Sequence, residues 1–353
     1  MWQNVLGALV DEARLQELLS GTSTLVLLVV IVVAIYLLSK GADWMIDGVV
    51  DLARRTGLPK IVIGATIVSL GTTMPEAFVS VMAAFTGNAG LALGNGVGSI
   101  IADTGLIFGL TCVLAVVPVN RFILNRTGWV QVGAATLLVA VALIAVATTT
   151  GEPILSRWVG FTFLILLCGY LLVTYFWARQ GGLCGTEADN QDLPLRPLGL
   201  CWVMVVGGLT LVVVGARGLV PCAAEIAFRL GVPDDIIAAT LVALGTSLPE
   251  LMTAISALRK GHPEITVGNV VGADVLNCLF VVGAAASARP LAVPDNFFYF
   301  HFPAMLIILY SFRVFIFMGR DGRFKRWQGV WLLTIYFIYI VLQYALNVGS
   351  AEI

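Results

Sequence analysis

The chain has 353 residues, of which 59% are hydrophobic and only 12% are charged, and its mean hydropathy is +0.96. This composition excludes a soluble domain and is typical of an all-α membrane protein that crosses the bilayer many times. The formal net charge of −1 and the lack of a basic run argue against nucleic acid as a partner.

The first 20 residues carry apolar side chains at helical spacing, with acidic and basic side chains between them. A cleavable signal needs a basic start and an uninterrupted apolar core, and this stretch has neither. We therefore predict an N-terminal amphipathic segment over 1–20 that lies at the membrane interface.

Ten apolar stretches follow, each long enough to cross the hydrocarbon core of a bilayer. They lie near residues 23–47, 60–85, 91–117, 128–149, 154–178, 198–222, 234–258, 265–286, 298–318 and 328–347. The longest polar connection, 179–197, divides them into two sets of five. The sequence thus predicts a first five-helix repeat over 21–178, a central cytoplasmic loop over 179–197 and a second repeat over 198–353.

Lysine and arginine are distributed unevenly over the short loops. With the N-terminus outside, the outer side holds only scattered cations such as Arg14 and Arg157, and the inner loops hold most of the others, namely Arg54, Arg55, Lys60, Arg121, Arg126, Arg179, Arg196, Arg259, Lys260, Arg320, Arg323, Lys325 and Arg326. Because basic loops stay on the cytoplasmic side, we predict a multi-pass protein of the cell (inner) membrane with both termini outside.

An internal repeat links the two halves. GATIVSLGTTMPE at 64–76 returns 174 residues later as AATLVALGTSLPE at 238–250, and an ungapped alignment of 57–103 with 231–277 has 17 identities in 47 pairs. Because each half has an odd number of spans, the second half enters the membrane from the opposite side. We therefore predict two inverted-topology repeats, which would bring Glu76 and Glu250 together near mid-membrane.

Each repeat surrounds its glutamate with oxygen atoms. Ser69, Thr72 and Thr73 precede Glu76 at helical spacing, and the second copy has Ala243, Thr246, Ser247 and Glu250 at the matching positions. Pro75 and Pro249 cannot donate a backbone hydrogen bond, so we expect a kink and a free carbonyl at Gly71 and Gly245. An ionised acid at mid-bilayer costs roughly 2.5 to 3.5 kcal/mol. A purely structural role is possible for one such acid, but two at equivalent positions favour a functional site.

Two glycine-rich segments, 94–103 and 268–277, add further polar groups. The first contributes Ser99 and Asp103, and the second contributes Asn277, while Asp274 suits an ion site or a helix end equally well. Oxygen ligands without nitrogen or sulfur suit hard cations such as Ca²⁺ and Na⁺ rather than Zn²⁺ or Cu⁺.

At these motifs the chain resembles the sodium/calcium exchanger family of prokaryotic type, whose repeats carry G-T-S-x-P-E and G-N-x-x-G-S-N motifs. The resemblance implies an antiporter in which several Na⁺ ions entering drive one Ca²⁺ out, with no cofactor and with the bilayer and inorganic cations as partners; we expect a monomer to function. It also implies that Glu76 and Glu250 are the central ligands. The other implied ligands are Thr72, Thr73, Thr246, Ser247, Ser99, Asp103 and Asn277, with backbone oxygens from Ser69 and Ala243.

The chain departs from the family pattern in its second segments. Where the family usually has G-S-N, it has Gly-Ser-Ile at 98–100 and Gly-Ala-Asp at 272–274. Asp103 stands where Asn is common. The K⁺-dependent branch typically has Asp at the position of Asn277, so Asn277 argues against K⁺ co-transport.

Three alternatives remain beside a Na⁺-driven antiporter that works by alternating access. A H⁺-coupled cation antiporter would also use buried acids, although that branch typically has a G-N-x-x-E type motif. A passive cation channel would use acidic oxygens as well. An intramembrane enzyme is disfavoured, since neither HExxH nor GxSxG occurs.

Overall fold

The computed structural model describes residues 19–118, 121–148, 151–181, 196–230, 243–318 and 322–345. These ranges are almost entirely helical, in agreement with the predicted all-α class. Most of the predicted amphipathic segment (1–20) and most of the predicted central loop (179–197) lie outside the described residues.

Twelve helices and two short strands are found in the described ranges. The helices are α1 (Thr24–Thr56), α2 (Lys60–Thr72), α3 (Met74–Thr86), α4 (Ala89–Leu114), α5 (Arg121–Thr148), α6 (Arg157–Gly181), α7 (Leu198–Arg229), α8 (Ala243–Thr246), α9 (Leu248–Arg259), α10 (Pro263–Ala288), α11 (Phe297–Met318) and α12 (Arg326–Ala345). Helices α2, α4, α10 and α11 each contain a π-helical stretch, at Gly64–Val68, Asp103–Phe108, Asn277–Val282 and Phe297–His301. Such stretches are frequent at functional sites.

Local sequence explains several helix ends. The side chain of Ser23 accepts a hydrogen bond from the Val26 amide at 3.4 Å and caps α1. Asn88 caps α4 in the same way through the Leu91 amide, at 2.9 Å. Helix α3 ends at Gly87, whose φ of 90° is left-handed and suits glycine.

Eight of the described helices are long and apolar enough to span a membrane, and α2 and α3 together form a ninth candidate with a bend of 42°. These nine match nine of the predicted spans. The tenth, near 234–258, falls partly outside the described residues, so a total of ten stays a prediction.

Helices α1 and α7 are longer than predicted. They run for 33 and 32 residues, whereas the apolar stretches that predicted them end near residues 47 and 222. In α1 the residues after 47 stay helical because they pack in the interior, where Val49, Leu52 and Ala53 are buried. The acids up to that point also have partners in the protein: Asp43 accepts a hydrogen bond from Ser256 at 2.6 Å, and Asp47 pairs with Lys260 at 2.5 Å. Asp43 and Asp47 therefore lie within the helix rather than near its end.

The two helices that contain the glycine-rich segments form the centre of the molecule. In the most apolar part of α10, 83% of residues are buried, and in that of α4, 72% are, against 28% for α1, α6, α7 and α12. The outer helices thus present apolar side chains to lipid, and the polar segments of α4 and α10 are enclosed by protein.

Glycines let two pairs of helices, α1 with α7 and α2 with α10, pack with their backbones in close contact. A Cβ added to Gly41 of α1 would lie 2.6 Å from the carbonyl oxygen of Gly208 on α7, and a Cβ added to Gly208 would lie 2.6 Å from that of Gly41. Likewise, a Cβ at Gly64 of α2 would lie 2.6 Å from the Ile265 carbonyl oxygen on α10. Small residues at such crossings are what membrane helix packing requires.

Elements recur at the spacing of the sequence repeat. Helices α4 and α10 begin and end 174 residues apart, and so do their π-helical stretches. The strands β1 (Ile154–Leu155) and β2 (Leu291–Ala292) pair antiparallel and join the connection after α5 to the connection after α10. An isolated bridge between Pro118 and Arg323 joins two other connections.

Candidate cation-binding site

Glu76 lies at a break between two helices. Helix α2 ends at Thr72, the chain bends by 42°, and α3 starts at Met74 with Pro75 in its first turn. The bend confirms the predicted kink, although it divides the predicted single helix in two. Glu76 follows in the first turn of α3 and is 1% exposed, so the break carries its carboxylate into the protein interior.

Glu250 occupies the matching place in the second half. Helix α8 ends at Thr246, and α9 starts at Leu248 with Pro249 in its first turn. Glu250 is also 1% exposed. Ala243, predicted to offer a backbone oxygen, lies in α8.

The hydroxyl groups before each glutamate differ in what they bind. Thr72 Oγ1 lies 3.3 Å from the Ser69 carbonyl oxygen and 3.4 Å from Asn269 Oδ1, and its side chain also bonds to Glu250. Thr73 Oγ1 and Ser247 Oγ are buried and have no hydrogen-bond partner in the described part of the chain. Thr73 and Ser247 are equivalent in the repeat, so both halves offer a bare hydroxyl, that is, a buried hydroxyl without a hydrogen-bond partner among the described residues.

The expectation of a free carbonyl before Pro75 stays a prediction. The Thr73 amide donates to the Ser69 carbonyl oxygen at 2.9 Å. It also lies against the Gly71 carbonyl oxygen two residues before it, but helical backbone does not align a hydrogen bond over that spacing.

Helices α4 and α10 bring the remaining predicted residues to the centre. Asn277 Nδ2 lies 3.4 Å from Asp103 Oδ2, and Asp103 Oδ1 and Asn277 Oδ1 have no partner among the described residues. Both side chains are 1% exposed, and Ser99, one turn before Asp103, is 4% exposed. Asp103 and Asn277 are the first residues of the π-helical stretches of α4 and α10.

Bare buried oxygens are concentrated at these predicted residues. Eleven such oxygens occur within the described residues, and eight of them lie in the two repeated segments: Thr73 Oγ1, Glu76 Oε1 and Oε2, Asp103 Oδ1, Ser247 Oγ, Glu250 Oε2, Asp274 Oδ1 and Asn277 Oδ1. The other three are Gln131 Oε1, Thr174 Oγ1 and Asn296 Oδ1. Most buried polar atoms in proteins have a hydrogen-bond partner. A group of oxygens without donors therefore indicates a place where cations supply the missing contacts.

The acids interact through their charges. Glu76 interacts with Glu250 and Asp103, and Asp103 also interacts with Glu250 and Asp274. Arg217 of α7 acts on Glu76 with the opposite sign. No three Asp, Glu, His or Cys side chains in the described ranges lie close enough to ligate one metal ion together, so a cation here would be held by one or two carboxylates with neutral oxygens.

Two asparagines that the sequence analysis did not predict as site residues position the glutamates. Asn95 Nδ2 donates to the Glu76 carbonyl oxygen and to Ser80 Oγ, both at 3.0 Å. Asn269 Nδ2 lies 3.4 Å from Thr253 Oγ1, which donates to the Glu250 carbonyl oxygen at 2.9 Å. The signal was present in the repeat, because Asn95 and Asn269 are identical at matching positions.

Asp274 lies in the interior rather than at a helix end. Its Oδ2 accepts hydrogen bonds from Thr104 of α4 and, at 2.5 Å, from Gln131 Nε2 of α5. All three side chains are at most 1% exposed. Gln131 and Thr104 were missed because nothing in the local sequence of α4 or α5 marks them.

A family profile described as "Sodium/calcium exchanger protein" matches residues 26–176 and 200–345. The "Sodium/calcium exchanger MaX1" of Methanosarcina acetivorans is 30% identical over 342 residues, which cover 89% of this chain and 97% of that protein. The "Inner membrane protein YrbG" of Escherichia coli is 29% identical over 324 residues, covering 90% and 96%. Among solved structures, the sodium-calcium exchanger NCX_Mj soaked with 2.5 mM Na⁺ and 10 mM Sr²⁺ matches with a TM-score of 0.75 and 27% identity, covering 90% of this chain and 99% of that one.

Proposed function

This chain belongs to the sodium/calcium exchanger family, and we propose that it exchanges Na⁺ for Ca²⁺ through the buried oxygens around Glu76 and Glu250. It is a multi-pass membrane antiporter, not an enzyme, and the ions are its substrates. One observation carries the assignment of the site: most of the bare buried oxygens of the described residues lie in the two repeated segments. Carboxylate, hydroxyl and amide oxygens are the ligands that Ca²⁺ and Na⁺ accept.

The ligand set we propose is the one the sequence indicates. The central ligands are Glu76 and Glu250, and the set also includes Thr72, Thr73, Thr246, Ser247, Ser99, Asp103 and Asn277, with backbone oxygens of Ser69 and Ala243. Of these, the residues with the strongest support are those that keep a bare oxygen, namely Glu76, Glu250, Thr73, Ser247, Asp103 and Asn277.

We propose that ten spans form two inverted repeats over 21–178 and 198–353. The recurrence of α4 as α10 after 174 residues supports duplication, and five spans separate equivalent points, which reverses their direction across the bilayer.

We also propose that both termini lie outside the cell (inner) membrane and that one chain suffices for transport. Three ion pairs support the orientation because they gather cations at one end of the bundle. Arg196 pairs with Asp51 at 3.4 Å, Lys60 with Glu264 at 3.6 Å, and Lys260 with Asp47 at 2.5 Å. Basic groups collected at one end are expected on the cytoplasmic side.

The mechanism we infer is alternating access, with α1 and α7 as the sliding elements. They pack on each other through Gly41 and Gly208. Each also acts on the region of one glutamate: α1 bonds through Asp43 to Ser256 of α9, the helix of Glu250, and Arg217 of α7 acts on Glu76. Movement of α1 and α7 would thus change the surroundings of both Glu76 and Glu250.

The coupling of Na⁺ transport to Ca²⁺ transport follows from the charge of the site. With its acids ionised and no cation bound, the site would carry buried negative charge, which opposes movement through the low-dielectric interior. One Ca²⁺ or several Na⁺ ions relieve that charge, so the protein changes conformation only when loaded. Each crossing then moves one type of ion, and the two fluxes become linked.

The test is Na⁺-gradient-driven ⁴⁵Ca²⁺ uptake into proteoliposomes. We expect the wild-type protein to take up ⁴⁵Ca²⁺ and Glu76→Gln and Glu250→Gln to lose uptake, while Glu152→Gln, which removes an exposed acid, retains it. Uptake that survives in both site variants would overturn the proposal. Uptake driven by a pH gradient without Na⁺ would assign H⁺ coupling instead, and single-channel currents far above carrier turnover would assign a channel.

A further inference from the structure

A second group of buried oxygens lies beside the central site, around Asp274. Asp274 of α10 is contacted by Thr104 of α4 and Gln131 of α5, so three helices meet at one carboxylate. The group has no counterpart in the other half. The equivalent positions hold Ile100, Cys278 and Met305, so these polar residues did not come with the duplication.

The hydrogen bonds in this group reach only one of the two oxygens of the Asp274 carboxylate. Both Thr104 Oγ1 and Gln131 Nε2 donate to the same oxygen, Oδ2 of Asp274. Its other oxygen, Oδ1, has no donor among the described residues, and neither has Gln131 Oε1. The amide orientation of Gln131 is dictated by the carboxylate, because the reverse orientation would place two acceptors together.

A structural role alone does not account for this arrangement. Buried networks that only stabilise a fold satisfy their members, since each unmet acceptor in a low-dielectric interior is costly. Here two acceptors, on side chains that are each 1% exposed, are left without donors. Each of these two oxygens lacks a donor, and a single cation between them would satisfy both.

We propose that Asp274, Gln131 and Thr104 form a subsite for one Na⁺ ion next to the central site, with Asp274 Oδ1 and Gln131 Oε1 as ligands. A single carboxylate balances a single charge, whereas Ca²⁺ takes six to eight oxygens and would keep excess positive charge here. This inference rests on the proposed function.

The subsite is connected to the central oxygens through Asp103. Asp103 interacts with Asp274 through charge, and Thr104, its neighbour in the chain, donates to Asp274. A Na⁺ ion at Asp274 would therefore lower the repulsion that Asp103 experiences. The subsite adds one ion to the Na⁺ set and makes the dependence on Na⁺ steeper, while Ca²⁺ remains at the central oxygens.

The experiment is equilibrium binding of ²²Na⁺ and ⁴⁵Ca²⁺ to the purified full-length protein. We expect Asp274→Asn, which keeps the side-chain shape, to bind about one Na⁺ fewer per chain than wild type and to keep its ⁴⁵Ca²⁺ affinity within about threefold. Gln131→Leu keeps the acid and removes only one ligand, so it should weaken one Na⁺ by about tenfold. It also tests the subsite if Asp274→Asn does not fold.

Thr127→Val is the matched control. Thr127 lies one turn before Gln131 on α5, is 1% exposed, and donates only to its own helix, to the Ile123 carbonyl oxygen at 3.0 Å. It should bind the same ions as wild type. The inference is overturned if Asp274→Asn binds as many Na⁺ ions as wild type, which is the result expected if Asp274 is neutral and structural. Failure of the proposed function has a different signature: the wild type itself would not take up ⁴⁵Ca²⁺ against Na⁺.

Discussion

The side-chain amide of Asn277 meets the carboxylate of Asp103 across 3.4 Å at the centre of the protein. The two residues are 174 positions apart and are the first residues of the π-helical stretches of α4 and α10. One of the pair is an acid and the other is its neutral amide, and both keep a bare oxygen. The two halves are therefore alike in position and unlike in side-chain chemistry.

A swap of these two residues tests whether the pair acts as a unit. Asp103→Asn removes one negative charge and should weaken Ca²⁺ binding by at least about tenfold, because Ca²⁺ affinity follows the number of charged ligands. The double variant Asp103→Asn with Asn277→Asp restores the charge on the facing position and should recover most of that loss. Binding of ⁴⁵Ca²⁺ to purified protein measures both. A double variant as weak as the single one would contradict the pairing.

Two adjacent threonines should respond differently to the loss of a hydroxyl group. Thr73 Oγ1 is bare, whereas Thr72 Oγ1 bonds within the protein. We expect Thr73→Val to weaken Ca²⁺ and Na⁺ binding by about tenfold with little change in thermal stability. Thr72→Val should weaken ion binding as well, because Thr72 belongs to the proposed ligand set, and should in addition lower stability by about 1 kcal/mol because it removes hydrogen bonds within the protein. Ion binding and thermal unfolding in detergent, measured on both variants, separate the two effects, and equal behaviour would refute the distinction.

Asn95 should position Glu76 through its backbone. The amide of Asn95 donates to the Glu76 carbonyl oxygen at 3.0 Å, so α4 determines where α3 begins. Asn95→Ala should reduce Ca²⁺ affinity by about 10 to 100-fold, as expected when a group that orients a ligand is lost. The control is Ser80→Ala, which removes only the second acceptor of Asn95 and should change affinity by less than about threefold. An Asn95→Ala variant with wild-type affinity would show that α3 holds Glu76 without this bond.

Gly268 should be intolerant of a methyl group. A Cβ at this position would collide with the Ile61 carbonyl oxygen of α2, and backbone atoms cannot move aside as a flexible side chain can. We expect Gly268→Ala to lower the free energy of unfolding by about 1 to 3 kcal/mol.

Gly133→Ala on α5 is the control for this change. A Cβ there meets no atom within 4 Å in the described structure. That substitution should be neutral or stabilise the helix by up to about 1 kcal/mol. Thermal unfolding of the two variants in detergent should therefore differ in sign, and similar melting curves would mean that α2 and α10 are not packed at this distance.

Much of this protein was predictable because the relevant signals are local or repeated. Spans follow from runs of apolar residues, and nine predicted spans have counterparts among the described helices. The kink before Glu76 follows from Pro75, and the burial of both glutamates follows from acids in apolar repeats. Helix α1 runs beyond its predicted end near residue 47 because the next residues pack in the interior, where Val49, Leu52 and Ala53 are buried, and hydropathy does not show which residues find such contacts.

By itself, then, the sequence determined the membrane class, the duplication and an oxygen-only chemistry around two acids. Composition, periodicity and residue type can be determined without knowing how the chain folds. Only the tertiary structure decided which oxygens stay bare. Thr73 and Thr72 are indistinguishable by position in the motif, and their difference arises because Asn269 of α10 reaches one and not the other. Asp274 was equally consistent with two roles until the packing of α4 and α5 placed Thr104 and Gln131 against it. Hydrogen bonds between distant helices depend on how those helices pack, and packing is a property of the whole chain.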